Sequence, residues 1–271
     1  MKPDLNKYFE RIGFDGDSKP DLATLRTIHR AHVLTIPYEN LDVYLERPVD
    51  QDITRIYRKI IHEGRGGWCY ETNGLLGWAL REIGFDATRH MGGVFRDEQG
   101  DEAFGNHLLH TVLLGETFIV DVGIGNFIKE PVVLRAGSFI EEGKTYRLEK
   151  LQDGSWRFHN AEGAIPASFD FFYEDANEDQ LNARGGNLQS DPQSMFRQNL
   201  ICQQMTPTGF KSLVGRMYTD TDKGLNGLLI ESEEELHKVI TVSLGITPPS
   251  LDGLWGKVCA RHEVLFGGED A

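Results

Sequence analysis

The sequence has few cysteines, no long apolar run and too little positive charge for unspecific binding of polyanions. Three cysteines occur in 271 residues, and no two have the Cys-x-x-Cys spacing, so no disulfide framework is expected. The formal net charge of −14 argues against unspecific binding to nucleic acids or anionic membranes. No apolar stretch approaches the roughly 20 residues of a membrane helix, and the N-terminus lacks an apolar signal core. We therefore expect a cytoplasmic protein without nucleic-acid or membrane partners.

The first part of the chain has the hydrophobic spacing of helices. Apolar side chains recur at helical intervals in residues 21–33, 52–63 and 70–83. Pro37 is a stop signal after the first of these helices, and Gly84 closes the third. Residues 1–88 are therefore predicted to form a helical bundle.

From residue 89 the pattern changes to short β runs. Residues 108–114 and 117–122 read as two strands joined by a Gly115-Glu116 turn, and residues 145–151 and 156–160 read as a second hairpin. Such strands predict a small barrel or sandwich. A loop rich in Asn and Gly is expected around residues 184–187, followed by mixed short helices and strands. The fold class predicted from these patterns is α+β.

Cys69 stands out because of its neighbours, Arg65-Gly66-Gly67-Trp68 before it and a helical pattern after it. A thiol at a helix N-terminus lies beside unpaired N–H groups and the positive end of the helix dipole, and both favour the nucleophilic thiolate. Arg65 is a second candidate source of positive charge. Cys202 and Cys259 are expected to be structural.

A cysteine nucleophile needs a base and a group that orients the base. His107 and His110 begin a strand whose hairpin partner ends in Asp121, so the turn brings the carboxylate back towards both histidines. A two-residue turn pairs Leu114 with Thr117 and therefore His110 with Asp121. His107 meets Asp121 only if the hairpin contains a bulge or an odd-length connection, so the spacing slightly favours His110.

A glycine turn follows the aspartate directly, over Gly123-Ile124-Gly125-Asn126. Such a turn exposes backbone N–H groups that could cradle phosphates or a carbonyl oxygen. It is not a dinucleotide fingerprint, because the third glycine and the following helix are not evident. A simple tight turn after a strand is an alternative interpretation of the same sequence.

Together these segments resemble the arylamine N-acetyltransferases. The motifs are an opening Tyr-Phe-Glu-Arg-Ile-Gly, a Pro-Tyr-Glu-Asn segment, the specific Arg-Gly-Gly-Trp-Cys-Tyr-Glu nucleophile motif, His-Leu-Leu and Val-Asp-Val-Gly-Ile-Gly, at residues 8–13, 37–40, 65–71, 107–109 and 120–125. Weaker signals follow at residues 190–196 and 206–209. The resemblance covers most of the first 130 residues.

The resemblance implies three domains with a cysteine-protease-like core. These are a helical bundle at residues 1–88 carrying the nucleophile, a β-barrel at 89–188 carrying His and Asp, and an α/β lid at 189–271. It implies a triad of Cys69, His107 and Asp121. It thus selects His107 over His110, and an irregular hairpin is the predicted reconciliation.

The resemblance also implies acetyl-CoA as co-substrate, no metal, an arylamine or hydrazine acceptor, and a ping-pong reaction of xenobiotic metabolism through acetyl-Cys69. The CoA phosphates are expected near Gly123, Gly125 and Asn126 and near the 184–187 loop, and a homodimer is one option. Ile124 departs from the usual aromatic residue. Candidates for the acceptor pocket are Tyr38, Val94, Phe95, Ile124 and Phe127.

Three alternative functions are compared with this one. A cytosolic cysteine amidase or peptidase resembling the transglutaminase-papain group would have the same triad. An amide synthase of a biosynthetic pathway is closer, because it belongs to the family's wider set. A noncatalytic binding module would have no use for three triad members. Acetylation of Cys69 by acetyl-CoA distinguishes the transferase from the rest.

Overall fold

The computed structural model of the chain describes residues 2–266, and its N-terminal part is helical. Asp4, Asp21 and Asp52 place carboxylates on the backbone N–H groups of the helices that follow them, which satisfies donors that a helix start leaves free. The elements are α1 (Leu5–Ile12), α2 (Leu22–Thr35), β1 (Tyr38–Glu39), α3 (Leu41–Tyr44), α4 (Ile53–Tyr57), a π-helical turn (Arg58–His62) and α5 (Cys69–Ile83). The three helices predicted from the sequence are confirmed.

Eight antiparallel strands follow and form one sheet. They are β2 (Asp86–Val94), β3 (His107–Leu114), β4 (Glu116–Val120), β5 (Val132–Val133), β6 (Gly137–Glu141), β7 (Lys144–Lys150), β8 (Trp156–His159) and β9 (Ser168–Phe171). Their order is β5-β4-β3-β2-β9-β8-β7-β6. Between β2 and β3 lie α6 (Arg96–Gln99) and a 3₁₀ turn (Gly100–Ala103). The sheet curls into a half-barrel, and the predicted α+β class is confirmed.

The C-terminal part combines short helices with a second sheet. Its elements are α7 (Glu178–Ser190), α8 (Met195–Gln198), β10 (Ile201–Met205), β11 (Phe210–Val214), β12 (Met217–Asp220), a 3₁₀ turn (Thr221–Lys223), β13 (Leu225–Leu229), α9 (Glu233–Lys238), a π-helical turn (Val239–Ser243) and α10 (Leu254–Phe266). The strand order β1-β10-β11-β12-β13 includes β1 from the N-terminal part. Between residues 2 and 266, no helix combines the length and apolar character needed to cross a membrane.

The predicted loop at residues 184–187 is wrong, because these residues lie inside α7. Asn177 caps this helix through the N–H of Gln180, and Leu181 is fully buried. Gly185 lies against the ring of Tyr70, where a Cβ would come within 3.4 Å of Cζ. Packing against α5 therefore outweighs the low helix propensity of the two glycines.

The predicted hairpin register is also wrong by one residue. Leu114 pairs with Glu116, and the only residue between them is Gly115, with φ = +75°. A positive φ of this kind is the conformation that glycine adopts without steric cost. His110 therefore pairs with Val120, so that Asp121 shares the sheet face of His107. The odd-length connection is the alternative that brings His107 and Asp121 together.

Candidate active site

The glycine pair before Cys69 brings this segment against the strand at residues 38–39. The N–H of Gly67 donates to the Pro37 carbonyl at 3.2 Å, and the N–H of Glu39 donates to the Gly67 carbonyl at 2.9 Å. A side chain at Gly66 would overlap the Pro37 carbonyl oxygen. Cys69 is thereby fixed as the first residue of α5, with 2% of its surface exposed.

A buried cluster of charged side chains lies next to this segment and includes Arg65. The Arg65 guanidinium donates to Glu39 at 2.8 Å and to Asp42 at 2.9 Å. Lys59 completes the cluster through Glu71 at 2.7 Å. Burial lowers the pKa of Arg65, but the two carboxylates outweigh burial and raise it. Arg65 therefore holds the loop together through two carboxylates, and its role as a positive charge for Cys69 stays a prediction.

His107 and Asp121 form a buried ion pair. Nε2 of His107 lies 2.7 Å from Oδ2 of Asp121. Burial lowers the pKa of His107, but the charges of Asp121 and Cys69 outweigh burial and raise it to about 10. Burial raises the pKa of Asp121, but His107 outweighs it and holds that pKa low. Both shifts favour an imidazolium paired with a carboxylate, and Nδ1 is the ring nitrogen that does not bond to Asp121.

Asp121 is held by two further donors. Nδ2 of Asn73 donates to Oδ1 of Asp121 at 2.8 Å, and the N–H of Gly123 donates to the same oxygen at 2.8 Å. Asn73 also donates to the Leu108 carbonyl at 2.6 Å, beside His107. Asn73 was not among the predicted site residues, although its position four residues after Cys69 places both on one face of α5.

His110 lies away from the ion pair. It is fully buried against α5, where a side chain at Gly77 would overlap its ring. Neither ring nitrogen has a hydrogen-bond partner within the described residues. Burial, with help from Arg89 and Arg81, lowers its pKa well below the usual value. The structure thus brings Asp121 to His107 and leaves His110 in the core.

The glycine turn lies between the ion pair and an open cleft. A Cβ at Gly123 would come within 2.9 Å of Cys69, and Gly125 packs against Gln203. Asn126 lines a cleft of about 460 Å³ together with Lys144 and Phe210. Arg184 does not line this cleft, because its stem packs by Gly105. The cleft is thus lined by one of the two segments expected to bind CoA.

The candidate acceptor-pocket residues fall mainly into two buried clusters. Tyr38 belongs to the buried cluster that contains Cys69 and Trp68. Ile124 and Phe127 belong to the half-barrel core, against which Val94 packs. Phe169, which the sequence analysis missed, joins this second group to the site, because its ring centroid lies 5.4 Å from that of His107.

Phe95 has a left-handed backbone with φ = +61°, and the segment before it is clamped. The Asn106 side chain accepts from the Val94 N–H and donates to the Val94 carbonyl, both at 2.8 Å. The Asn106 carbonyl lies 3.9 Å from Sγ of Cys69. Asn106 therefore holds Val94 in place and also contacts the thiol.

The chain matches known proteins along most of its length. A family model described as N-acetyltransferase matches residues 21–249. The pineal gland isozyme NAT-3 of arylamine N-acetyltransferase from Gallus gallus is 31% identical, over 90% of this chain and 94% of that protein. The liver isozyme from the same organism is 33% identical, over 80% and 84%.

Solved structures agree with these sequence matches. The Mycobacterium marinum arylamine N-acetyltransferase in complex with CoA superposes with a TM-score of 0.84 at 26% identity, over 95% of this chain and 98% of that one. The enzyme from Salmonella typhimurium has the same TM-score and identity, over 97% and 99%. The buried cysteine, the ion pair and these matches lead to one conclusion: the chain belongs to the arylamine N-acetyltransferase family.

Proposed function

We propose that this protein transfers an acetyl group from acetyl-CoA to the nitrogen of an arylamine or arylhydrazine through acetyl-Cys69. The observation that carries the proposal is the buried His107–Asp121 pair at 2.7 Å beside a cysteine at a helix start. Family membership supports the donor, because a relative of similar fold is described in complex with CoA.

In the first half-reaction the Cys69 thiolate attacks the thioester carbonyl. A new S–C bond forms at Cys69, the bond from carbon to the CoA sulfur breaks, and the proton of His107 passes to the leaving thiolate. The N–H of Cys69, at the start of α5, is a donor for the oxyanion. The exchange of one thioester for another allows the acetyl-enzyme to persist until an amine arrives.

In the second half-reaction the neutral amine attacks the acetyl carbonyl. Nδ1 of His107, now without its proton, accepts the proton from the amine nitrogen as the C–N bond forms. The bond to Sγ breaks, and the thiolate of Cys69 and the imidazolium of His107 are restored. Asp121 orients the ring in both steps and stabilises its charged form.

The donor and the acceptor are assigned to different sides of Cys69. For CoA we propose the Gly123–Asn126 turn and the cleft beside it, where Lys144 supplies a positive charge for phosphate. For the acceptor we propose the apolar side formed by Tyr38, Val94, Phe95, Ile124 and Phe127. Ile124 keeps this side apolar but offers no ring for stacking, so the arylamine preference depends on Phe127.

We propose three units that correspond to residues 1–88, 89–188 and 189–271, with the nucleophile, the His–Asp pair and the lid, respectively. The buried clusters support this division only in part, because Leu41 and Tyr44 pack in the core of the third unit. A cytoplasmic location is proposed with it.

The test is intact-protein mass spectrometry after incubation with acetyl-CoA, before and after an aminobenzoate is added. We expect an acetyl increment on Cys69 that disappears with the amine, and no increment in Cys69→Ala. No increment on the wild-type protein would favour a hydrolase or an amide synthase with a different acyl donor. An increment that the amine cannot discharge would refute the arylamine acceptor.

A further inference from the structure

The segment that carries Asp121 is held by side chains instead of by a strand. β4 ends at Val120, and the next three backbone N–H groups have other partners. Asp121 N–H donates to Nε2 of His29 at 3.3 Å, Val122 N–H to Oδ1 of Asn73 at 2.9 Å, and Gly123 N–H to Asp121 itself at 2.8 Å. Two helices, α2 and α5, thus fix the backbone of the aspartate.

His29 can accept this hydrogen bond in only one protonation state. Its Nδ1 lies 2.9 Å from the Lys129 carbonyl oxygen, which can only accept, so the ring proton is on Nδ1. Nε2 then carries no proton and is free to accept from Asp121. A protonated ring would direct an N–H at the Asp121 N–H. Burial lowers the pKa of His29, which favours the neutral ring.

The side chain of Lys129 is itself held in place. Nζ of Lys129 donates to the Pro207 carbonyl at 3.0 Å and pairs with Glu142. Glu142 also pairs with Arg30, the neighbour of His29, at 3.0 Å. Contacts from α2, the half-barrel and the β10–β11 connection therefore hold Lys129, the residue whose carbonyl fixes the tautomer of His29.

We propose that His29, as its neutral Nδ1–H tautomer, is a positioning residue that aligns Asp121 with His107. This inference rests on the role proposed above for Asp121. Without the acceptor at Nε2, the backbone N–H of Asp121 is left unsatisfied in the core, and the carboxylate loses one of the contacts that orient it. Because the His107–Asp121 bond is needed in both half-reactions, the loss should reduce kcat more than it changes the KM of either substrate.

Three substitutions separate positioning from packing. His29→Gln can place an acceptor oxygen near the position of Nε2, His29→Asn is too short to do so, and His29→Leu removes both hydrogen bonds. His32→Leu is the matched control, because His32 is buried on the same helix but bonds to Tyr8, at 3.0 Å. Each variant is tested for kcat, for both KM values, for melting temperature and for the pH dependence of Cys69 alkylation by iodoacetamide.

We expect His29→Asn and His29→Leu to lower kcat by about ten- to a hundredfold, the range for misplaced catalytic groups, with KM nearly unchanged. His29→Gln should recover most of kcat, and His32→Leu should lower the melting temperature with kcat retained. Wild-type kcat in His29→Asn, or no recovery in His29→Gln at equal melting temperature, would overturn the proposal. Alkylation of Cys69 needs no acetyl-CoA. An unchanged alkylation profile in His29→Asn therefore refutes the role of His29 even if the proposed transferase activity fails.

Discussion

At the scale of single residues, Asn73 joins α5 to Asp121 and to the backbone beside His107. Its side chain makes three buried hydrogen bonds, to the Leu108 carbonyl, to Asp121 and to the Val122 N–H. Asn73→Ala removes all three bonds, each worth about 1 kcal/mol, and takes the Val122 N–H from its partner, whereas Oδ1 of Asp121 still accepts from the Gly123 N–H. We expect the free energy of unfolding to fall by roughly 3 kcal/mol and kcat to fall with it. Denaturant unfolding and steady-state kinetics measure both. The control is Asn187→Ala on the exposed face of α7, and equal behaviour of the two variants would contradict the prediction.

His107 should make the stability depend on pH. Burial lowers its pKa, but Asp121 and Cys69 outweigh burial and raise it to about 10, above the usual value of 6.5. The folded protein binds this proton more tightly, so the stabilisation is complete below about pH 6.5 and is lost as the pH rises through 10. The free energy of unfolding should therefore fall between these pH values, and more steeply than in His107→Gln. Denaturant titrations at several pH values measure the two slopes, which the prediction requires to differ.

The members of the proposed triad could be predicted from the sequence more readily than the residues that hold them. Cys69 and Asp121 have local signals, a glycine pair and a glycine turn. The choice between His107 and His110 depends on a register that one glycine, Gly115, shifts by one residue. His29 lies 92 positions from Asp121 in the chain, and no pattern along the sequence indicates a contact over such a separation.

At the scale of elements, the contact between residues 65–68, the loop before Cys69, and residues 37–39 sets the position of α5. A Cβ at Gly66 would overlap the carbonyl oxygen of Pro37, a backbone atom that cannot rotate away. Gly66→Ala should therefore separate the two segments and lower stability by about 1–3 kcal/mol, the usual cost of overpacking. Cys69 would move with the loop, so the rate of its acetylation should also fall. Thermal unfolding and mass spectrometry of the acetyl-enzyme measure these effects; a stable, fully acetylated variant would contradict them.

Gly186→Ala should have the opposite effect on stability to Gly66→Ala. It lies in the middle of α7, and a Cβ there would meet no atom within 4 Å. Gly186→Ala should raise the free energy of unfolding by roughly 0.5–1 kcal/mol, because alanine is the better helix former. A lower free energy of unfolding in Gly186→Ala would instead favour the loop predicted from the sequence Arg-Gly-Gly-Asn. α2 could be predicted from its apolar spacing, whereas α7, although Asn177 caps it, contains two adjacent glycines and depends on its contact with Tyr70.

At the scale of the whole molecule, residues far apart in the chain form common sheets and cores. β1 lies in the C-terminal sheet, paired with β10, although 163 positions separate Glu39 from Cys202. Trp68 and Cys69 share a buried cluster with Leu181 and Phe196. Domain boundaries read from changes in pattern along the chain therefore describe the order of the elements but not which of them pack together.

Replacing Phe196 tests whether the C-terminal part of the chain holds Cys69 in place. Its ring meets the edge of Trp68 at a centroid distance of 5.5 Å, and its carbonyl accepts from Nδ2 of Asn40 at 3.0 Å. Phe196→Ala should open a cavity beside Trp68 and cost about 3–5 kcal/mol. We expect faster hydrogen exchange at residues 66–72 and a lower rate of Cys69 acetylation, because the start of α5 loses a wall. Phe266→Ala is the control, since that ring is 52% exposed, and it should change neither. If Phe196→Ala lowers the melting temperature but leaves exchange and acetylation at residues 66–72 unchanged, the C-terminal unit stabilises the fold without positioning the nucleophile.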